Sequence, residues 1–212
     1  MFTDPEIEKY VNDHSSPEDE VLAELYRQTY NKTVHPQMIA GHILGKFLEM
    51  ISRMIQPENI LEIGTFTGYS AICLARGLRP GGRVYTIDID EEVKELAATF
   101  IRKAGMDGSI IMFTGDAKDI VPCMDQKFDL VYIDAEKDEY IDYYNMIIDK
   151  VKSGGFILAD NVLWSGKVVQ RQDSNDPFTK GILMFNDMVH KDHRVENVIL
   201  PIRDGISVIR KL

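Results

Sequence analysis

The sequence has few cysteines and no long apolar run, and each shortage excludes a class of protein. Cys73 and Cys123 are the only cysteines, and they form neither a C-x-x-C pair nor a zinc-binding spacing. No apolar stretch approaches the roughly 20 residues that a membrane-spanning helix requires. The first twenty residues are polar and acidic, without the basic and apolar regions of a signal peptide. We therefore expect a cytoplasmic protein with free thiols and no membrane partner.

Positive charge is also in short supply. The 212 residues carry 24 Lys and Arg against 34 Asp and Glu, a formal net charge of −10. Because broad nucleic-acid surfaces are normally basic, this balance disfavours a nucleic-acid partner, although a local basic patch could still bind one. The length suits a single domain with a full core. We predict one domain over residues 1–212, with an N-terminal helical cap at 1–58 and an α/β core at 59–212.

Strand-like and helix-like segments alternate from residue 59 to residue 160. This alternation predicts parallel strands joined by helices, which is a doubly wound, Rossmann-like α/β fold. The last two strand-like segments, 195–202 and 206–210, are joined by Arg203-Asp204-Gly205, which indicates a hairpin. We therefore predict a mostly parallel sheet of seven strands, with one antiparallel strand near the C-terminus.

Two glycines interrupt an apolar helical pattern at residues 36–56. Gly41 and Gly45 stand four residues apart in it, and a glycine inside a helix costs about 1 kcal/mol. The pair therefore predicts either the close approach of another element to that face or a break in the helix.

Acids or glycines stand at the end of every predicted parallel strand. In doubly wound sheets, ligands bind beyond the carboxyl ends of the strands, so these residues predict one acidic cleft. The strand ends are Glu62-Ile63-Gly64, Asp88, Gly115-Asp116, Asp134 and Asp160-Asn161.

The first strand end continues into the loop Gly64-Thr65-Phe66-Thr67-Gly68. It resembles the G-x-G-x-x-G dinucleotide loop, but Phe66 takes the position of the second glycine. Alone, it fits a tight turn equally well. With Asp88, twenty residues after Gly68 and suited to ribose hydroxyls, it indicates an adenosine-type ligand without a pyrophosphate. S-adenosylmethionine fits best, because an acidic cleft suits its sulfonium cation and the amides and hydroxyl of 68–70 suit its carboxylate.

Four segments resemble the motifs of the cation-dependent O-methyltransferases, the family of catechol O-methyltransferase and the plant caffeoyl-CoA O-methyltransferases. They are EIGTFTGYS at 62–70, TID at 86–88, DAEK at 134–137 and ADNV at 159–162, in the family's order and spacing. The resemblance runs from about residue 36 to the C-terminus. It implies methyl transfer from S-adenosylmethionine to a hydroxyl of a catechol-type or related vicinal-hydroxyl small molecule, with Mg²⁺ or another divalent cation. The N-terminal helices could cover the active site or a dimer interface, as in relatives, and we expect a homodimer.

The resemblance also implies roles for individual residues. Lys137 would be the catalytic base, together with Asp134, and the metal ligands would be Asp134, Asp160 and Asn161. The residues implied to bind the cofactor are Met38, Ala40, Glu62, Gly64, Thr65, Ser70, Asp88, Ile89, Asp116, Ala117 and Asp134. The chain departs from the catechol enzyme at Ala135 and Glu136, where that enzyme has bulky aromatic residues, and residues 200–205 supply no acid that matches its substrate-binding glutamate. The acceptor therefore stays open.

The residue types suit this chemistry. A phenol has a pKa of about 10, and a bound divalent cation lowers the pKa of an oxygen acid. Carboxylate and amide oxygens are suitable Mg²⁺ ligands, and a nearby cation would lower the pKa of Lys137 so that it could accept the hydroxyl proton. Taken singly, Asp134 fits a helix N-cap, Lys137 a solvated side chain and Asp160-Asn161 a turn. Their coincidence at neighbouring strand ends favours a reactive site.

Three alternatives stay open at this point. A hydroxylated tRNA base could be the methyl acceptor, as in a tRNA hydroxyuridine O-methyltransferase, although the net charge counts against it. The unit from Gly64 to Asp88 could serve an NAD(P)-dependent oxidoreductase, although Phe66 argues against a pyrophosphate site. A non-enzymatic cofactor-binding module is the least favoured alternative, because the metal and base residues are all present.

Overall fold

The computed structural model describes residues 4–170 and 176–212. Within them, the chain forms two compact units, Asp4–Asp116 and Ala117–Leu212. Residues 1–3 of the predicted cap and 171–175 of the predicted core lie outside the described residues. The division between the units falls at 116/117 and not at the predicted cap boundary of 58/59, and the single domain stays a prediction.

Seven strands make up the sheet, in the order β3-β2-β1-β4-β5-β7-β6. The pairs β1–β2, β2–β3 and β4–β5 are parallel, whereas β7 runs antiparallel to both β5 and β6. This confirms the predicted α/β fold and its antiparallel strand. The strands are β1 (Asn59–Ile63), β2 (Arg83–Asp88), β3 (Ile110–Thr114), β4 (Phe128–Ile133), β5 (Val151–Asp160), β6 (Val195–Leu200) and β7 (Ile206–Lys211).

Eight α-helices occur in the described residues, and none is long and apolar enough to cross a membrane. They are α1 (Pro5–Asp13), α2 (Glu20–Lys32), α3 (Gly41–Ile55), α4 (Tyr69–Ala75), α5 (Lys94–Lys103), α6 (Ala117–Ile120), α7 (Tyr140–Ile147) and α8 (Pro177–Lys191). Short 3₁₀ turns occupy Pro36–Met38, Val121–Cys123, Lys137–Glu139 and Trp164–Val169.

The two glycines of the predicted 36–56 helix have different structural roles. Gly41 has a φ of 73°, and the helix breaks at this point into a 3₁₀ turn and α3. A Cβ at Gly45 would lie 2.5 Å from Tyr69 Cε1 and 2.9 Å from Cys73 Sγ, so glycine lets α3 pack tightly against α4. Both predicted explanations are therefore confirmed, one at each glycine.

Strand β5 begins earlier than the sequence pattern predicts. The run Ser153-Gly154-Gly155 is typical of a helix end, which would leave a strand over only 156–160. Instead α7 ends at Ile147 and the strand starts at Val151. Its register against β4 shifts between the pairs Phe128–Val151 and Leu130–Phe156, which is a bulge. Gly154, with φ at 79°, supplies the left-handed backbone that this irregular segment uses.

Candidate functional site

The unit Asp4–Asp116 holds most of the predicted cofactor residues, grouped at the carboxyl ends of β1 and β2. These strands pair in parallel, with Ile63 opposite Ile87, so the loop after β1 lies beside Asp88. Asp88 Oδ2 accepts a hydrogen bond from the Phe66 amide at 2.6 Å, and Asp88 Oδ1 accepts one from the Asp90 amide at 2.9 Å. The carboxylate is half-buried, and each oxygen keeps a lone pair for another donor such as a ribose hydroxyl.

Phe66 occupies an uncommon backbone conformation at the tip of this loop. Its φ is 45°, in the left-handed region that a bulky residue rarely adopts. Such a conformation costs on the order of 1–3 kcal/mol and persists only where the surroundings hold it. The hydrogen bond from its amide to Asp88 is one such restraint. Asp88, a predicted ribose contact, therefore also shapes the loop.

Glu62 and Thr65 have side chains that the structure places beneath the loop. Glu62 is 0% exposed and Thr65 is 2% exposed. Both are joined to Thr86, whose hydroxyl lies 2.5 Å from Glu62 Oε2 and 2.5 Å from Thr65 Oγ1. Thr86 belongs to the TID motif at 86–88, but the family resemblance implies no role for it. The signal for it was a polar side chain inside an otherwise apolar strand.

The remaining predicted cofactor residues of this unit lie at or near the same strand ends. Ser70 lies in the first turn of α4 and is buried, whereas Ile89 directly follows Asp88 and is 72% exposed. The Gly115 amide donates to the Asp88 carbonyl at 2.8 Å, which brings the end of β3, and with it Asp116, beside the end of β2. Met38 is half exposed and Ala40 buried on the segment that leads into α3.

A cavity of about 810 Å³ opens in this unit next to Phe66 and Met38. Residues of α2 and α5 form its other walls, and an ion pair between Lys103 and Glu24, at 2.9 Å, joins these two helices. The volume lies within the range of small-molecule sites, which is roughly 300–1,000 Å³. We call residues 64–68 the cofactor loop, after the cofactor contacts predicted there; at Phe66 this loop faces a space of ligand size.

The unit Ala117–Leu212 holds the predicted metal and base residues. Strands β4 and β5 pair in parallel with Ile133 opposite Ala159, so Asp134, directly after β4, lies beside Asp160, the last residue of β5. Asp160 is 2% exposed; its Oδ2 accepts from the Tyr132 hydroxyl at 3.0 Å and its Oδ1 from the Asn161 amide at 2.8 Å. Burial first, and the charge of Asp134 second, raise the pKa of Asp160 to about 7.

Lys137 lies in the same group with a buried ammonium. Its Nζ donates to Asp134 Oδ1 at 2.8 Å and to the Tyr140 hydroxyl at 2.9 Å, and the residue is 9% exposed. Burial alone would lower the pKa of Lys137, but Asp134 and Tyr140 more than offset this and raise it. From the sequence, a bound cation is predicted to lower the pKa of Lys137. The surrounding side chains act in the opposite direction, because Asp134 stabilises the ammonium.

Two buried tyrosines complete this group, and neither was predicted from the sequence to belong to it. Tyr132 and Tyr140 are each 0% exposed. The Tyr140 hydroxyl contacts Lys137 and lies 3.0 Å from the Asp160 carbonyl, which it can reach as a donor. Tyr132 could have been suspected because its hydroxyl interrupts an apolar strand, and Tyr140 because it follows Lys137 at a spacing of three residues.

The donor set of this group suits a hard divalent cation in chemistry. Asp134 and Asp160 supply carboxylate oxygens and Asn161 an amide oxygen, which are Mg²⁺-type ligands. Burial and the charge of Asp134 raise the pKa of Asp160, and a bound cation would stabilise its ionised form. Over residues 4–170 and 176–212, no group of three or more His, Cys, Asp or Glu side chains is placed to hold a metal ion. The fit therefore rests on two carboxylates and one amide.

Ala117, one of the predicted cofactor residues, begins α6 and is buried.

Comparisons of the whole sequence with known proteins agree with each other. Residues 12–212 match a family model described as O-methyltransferase. A caffeoyl-CoA O-methyltransferase from Medicago sativa is 36% identical over 181 residues, which cover 79% of this chain and 72% of that protein. A caffeoyl-CoA O-methyltransferase from Eucalyptus globulus is 37% identical over 183 residues, with the same coverage of 79% and 72%.

Solved structures give the same relationship. An O-methyltransferase from Bacillus cereus, in complex with SAH, superposes with a TM-score of 0.89 at 31% identity and covers 98% of this chain and 97% of its own. The O-methyltransferase TomG from Streptomyces achromogenes, involved in tomaymycin synthesis and solved with SAM, gives a TM-score of 0.90 at 29% identity, with 97% and 96% covered.

Proposed function

The chain belongs to the O-methyltransferase family, and from this premise we propose that it methylates a hydroxyl group of a catechol-type or related vicinal-hydroxyl small molecule in a reaction that depends on Mg²⁺ or another divalent cation. The methyl donor is S-adenosylmethionine, in line with the SAM and SAH complexes of its structural relatives. The enzyme is of the caffeoyl-CoA O-methyltransferase type. The metal requirement and the acceptor are the parts that need a test.

One observation supports the metal requirement above the others. Asp134 and Asp160 lie at the ends of paired strands, the charge of Asp134 raises the pKa of Asp160, and Lys137 is hydrogen-bonded to Asp134. Lys137 and Arg203 both act to lower the pKa of Asp160 but do not offset its rise, so further positive charge would stabilise the carboxylate. A divalent cation bound by Asp134, Asp160 and Asn161 would supply it and would lower the pKa of an acceptor hydroxyl.

Each protein side chain of the site would then have a separate role. Tyr132 holds the carboxylate of Asp160, and Tyr140 holds the amine of Lys137. Lys137 would act from its neutral form, reached by release of its ammonium proton to solvent, and would then receive the hydroxyl proton of the acceptor at Nζ. At the other substrate, Asp88 would hold the ribose hydroxyls of the donor. A positioned base contributes roughly 10²- to 10⁴-fold to a rate.

Methylation of a catechol with isotopically labelled S-adenosylmethionine tests the metal requirement. We expect activity with added Mg²⁺, loss of activity in EDTA and recovery when Mg²⁺ is added in excess. Full activity under chelation would contradict the proposal. A parallel titration with SAH in EDTA controls for loss of the fold, because cofactor binding should survive chelation.

The alternatives differ in their present support. Membership of the O-methyltransferase family removes the reason for an NAD(P)-dependent oxidoreductase or a non-enzymatic module. A tRNA acceptor stays an alternative prediction that the net charge of −10 disfavours. A gel shift with tRNA at low salt tests it, and the absence of a shift would remove it.

We also propose a homodimer and a cytoplasmic location. Support for the dimer comes from α1, whose Ile7, Tyr10 and Val11 are all exposed and which buries none of its residues within the chain. Light scattering at several concentrations tests it, and a constant monomer mass would contradict it. The cytoplasmic location rests on the two free cysteines, of which Cys123 is exposed.

A further inference from the structure

Buried polar side chains lie in a row under the loop that joins β1 to α4. Thr86 Oγ1 donates to Glu62 Oε2 at 2.5 Å, and Thr65 Oγ1 lies 2.5 Å from the same oxygen of Thr86. Glu62 and Thr86 are 0% exposed and Thr65 is 2% exposed. All three side chains are therefore shielded from bulk solvent.

The direction of both hydrogen bonds follows from the donors available. The Thr86 hydroxyl carries a single proton, which it donates to Glu62 Oε2. Thr86 can therefore only accept from the Thr65 hydroxyl. The hydroxyl of Thr65 is committed to this bond, which fixes its rotamer. Networks of this kind hold their members more rigidly than isolated bonds do.

The end of β2 holds the loop at two further points. The Gly64 amide donates to the Ile87 carbonyl at 2.9 Å, and the Phe66 amide donates to Asp88 at 2.6 Å. Three successive residues of β2, at 86, 87 and 88, thus hold three successive residues of the loop, at 65, 64 and 66. This support explains how Phe66 keeps its left-handed backbone.

We propose that Thr86 is a positioning residue for S-adenosylmethionine, because its hydroxyl holds Thr65 and Glu62 and thereby the shape of the loop predicted to bind the cofactor. Thr86 acts without touching the cofactor. Glu62 and Thr65 are among the residues that the family resemblance implies to bind the cofactor, and Thr86 would hold both of them in position. The inference rests on the cofactor of the proposed function and not on the metal or the acceptor.

Two substitutions at Thr86 and one control test this role. Thr86→Val keeps the shape and removes the hydroxyl, whereas Thr86→Ser keeps the hydroxyl. Ser52→Ala is the control, because Ser52 is also fully buried in the same unit and donates to the Leu74 carbonyl at 2.6 Å. The readouts are the Kd of SAH by calorimetry, the KM for S-adenosylmethionine, kcat and the Tm.

For Thr86→Val we expect a Kd and a KM raised about 10-fold and a kcat within about 2-fold at saturating cofactor, the pattern of lost binding energy. Thr86→Ser should restore the Kd to within about 2-fold of the wild type. Ser52→Ala should lower the Tm and leave the Kd unchanged. An unchanged Kd in Thr86→Val, no recovery in Thr86→Ser, or an equal loss in Ser52→Ala would each overturn the proposal.

If Thr86→Val does not fold, Thr65→Val takes its place, because it breaks the Thr65 bond and leaves the Thr86–Glu62 bond intact. An unchanged SAH Kd in that variant would overturn the proposal too. The SAH titration needs neither a metal nor an acceptor. A wild-type protein that binds SAH but methylates no catechol would therefore contradict the proposed acceptor and leave the role of Thr86 standing.

Discussion

Single tyrosine hydroxyls hold the charged groups at the ends of β4 and β5. Tyr132 is bonded to Asp160, and Tyr140 is bonded to Lys137 and lies against the Asp160 carbonyl. Each phenol is fully buried, so its hydroxyl has few other partners to exchange for these. Removal of either hydroxyl should therefore disturb the reactive group directly.

Tyr140→Phe should lower kcat by roughly 10- to 100-fold, since a hydrogen bond to a charged group is worth about 1.5–3 kcal/mol. The affinity for SAH should not change, because Tyr140 is not among the predicted cofactor contacts. Tyr143→Phe is a matched control, since the Tyr143 hydroxyl bonds to Glu139 at 2.6 Å. Steady-state kinetics and calorimetry on both variants check this, and equal kcat values in the two would refute it.

Lys137→Met should reduce kcat by roughly 10²- to 10⁴-fold if Lys137 is the base. The substitution removes a buried ammonium together with its bond to Asp134, so thermal unfolding must be measured beside the kinetics. Single-turnover rates at saturating S-adenosylmethionine isolate the chemical step. A variant that folds and turns over at the wild-type rate would exclude Lys137 as the base.

Helix α2 is held against the cofactor loop and α4 by polar contacts at several points. Thr29 Oγ1 lies 3.0 Å from Thr67 Oγ1, and both side chains are 0% exposed. Near the start of the helix, Glu18 accepts from Tyr69, and Asp19 pairs with Arg76 at 2.5 Å. The N-terminal region therefore contacts the same loop that β2 holds, through the bond between Thr29 and Thr67.

Thr29→Val should lower the free energy of unfolding by about 1 kcal/mol, the usual net value of one buried hydrogen bond. Because the bond ends on the cofactor loop, the Kd of SAH should rise as well. Urea unfolding and calorimetry check the two effects. A stability loss without any change in SAH affinity would show that α2 does not shape the loop.

The charged side chains around α3 give a pH dependence of definite sign. Burial alone would raise the pKa of Glu49, but Lys46 and Arg53, at 3.0 Å each, lower it below its ordinary value. The stabilisation is present above the unfolded pKa of about 4.3 and is lost as the pH falls through the folded value. Glu49→Gln should therefore show a smaller loss of unfolding free energy between about pH 5 and pH 3 than the wild type. Equal losses in urea titrations would contradict this.

Hydrophobic periodicity and single glycines predicted the helices and strands well wherever a segment's structure depends mainly on its own residues. The alternation of apolar strands and amphipathic helices predicted the sheet, and the turn at 203–205 predicted its C-terminal hairpin. The glycines at 41 and 45 indicated a helix break and a close contact. The early start of β5 was missed because a bulge depends on the partner strand. Tyr132, Tyr140 and Thr86 were missed because a hydroxyl in an apolar segment acquires its meaning only from a partner distant in sequence.

At the scale of the whole molecule, cofactor binding should stabilise the fold by mass action. SAH at 100 times its Kd should add about 2.7 kcal/mol to the free energy of unfolding, whereas NAD⁺ should add nothing. Asp88→Asn should weaken the SAH effect, because it removes the charge that holds Phe66 and is predicted to bind the ribose. Thermal shift with both ligands checks this, and stabilisation by NAD⁺ alone would reverse the assignment of the cofactor.

The contact at Gly45 has a practical consequence for engineering. Even the methyl group of alanine would collide with Tyr69 and Cys73, both of which are buried in α4. Since α4 starts directly after the cofactor loop, a displaced Tyr69 would disturb that loop from behind. A mutant library intended to widen the acceptor range should therefore keep residue 45 unchanged, although it lies outside every predicted contact with the cofactor or the acceptor.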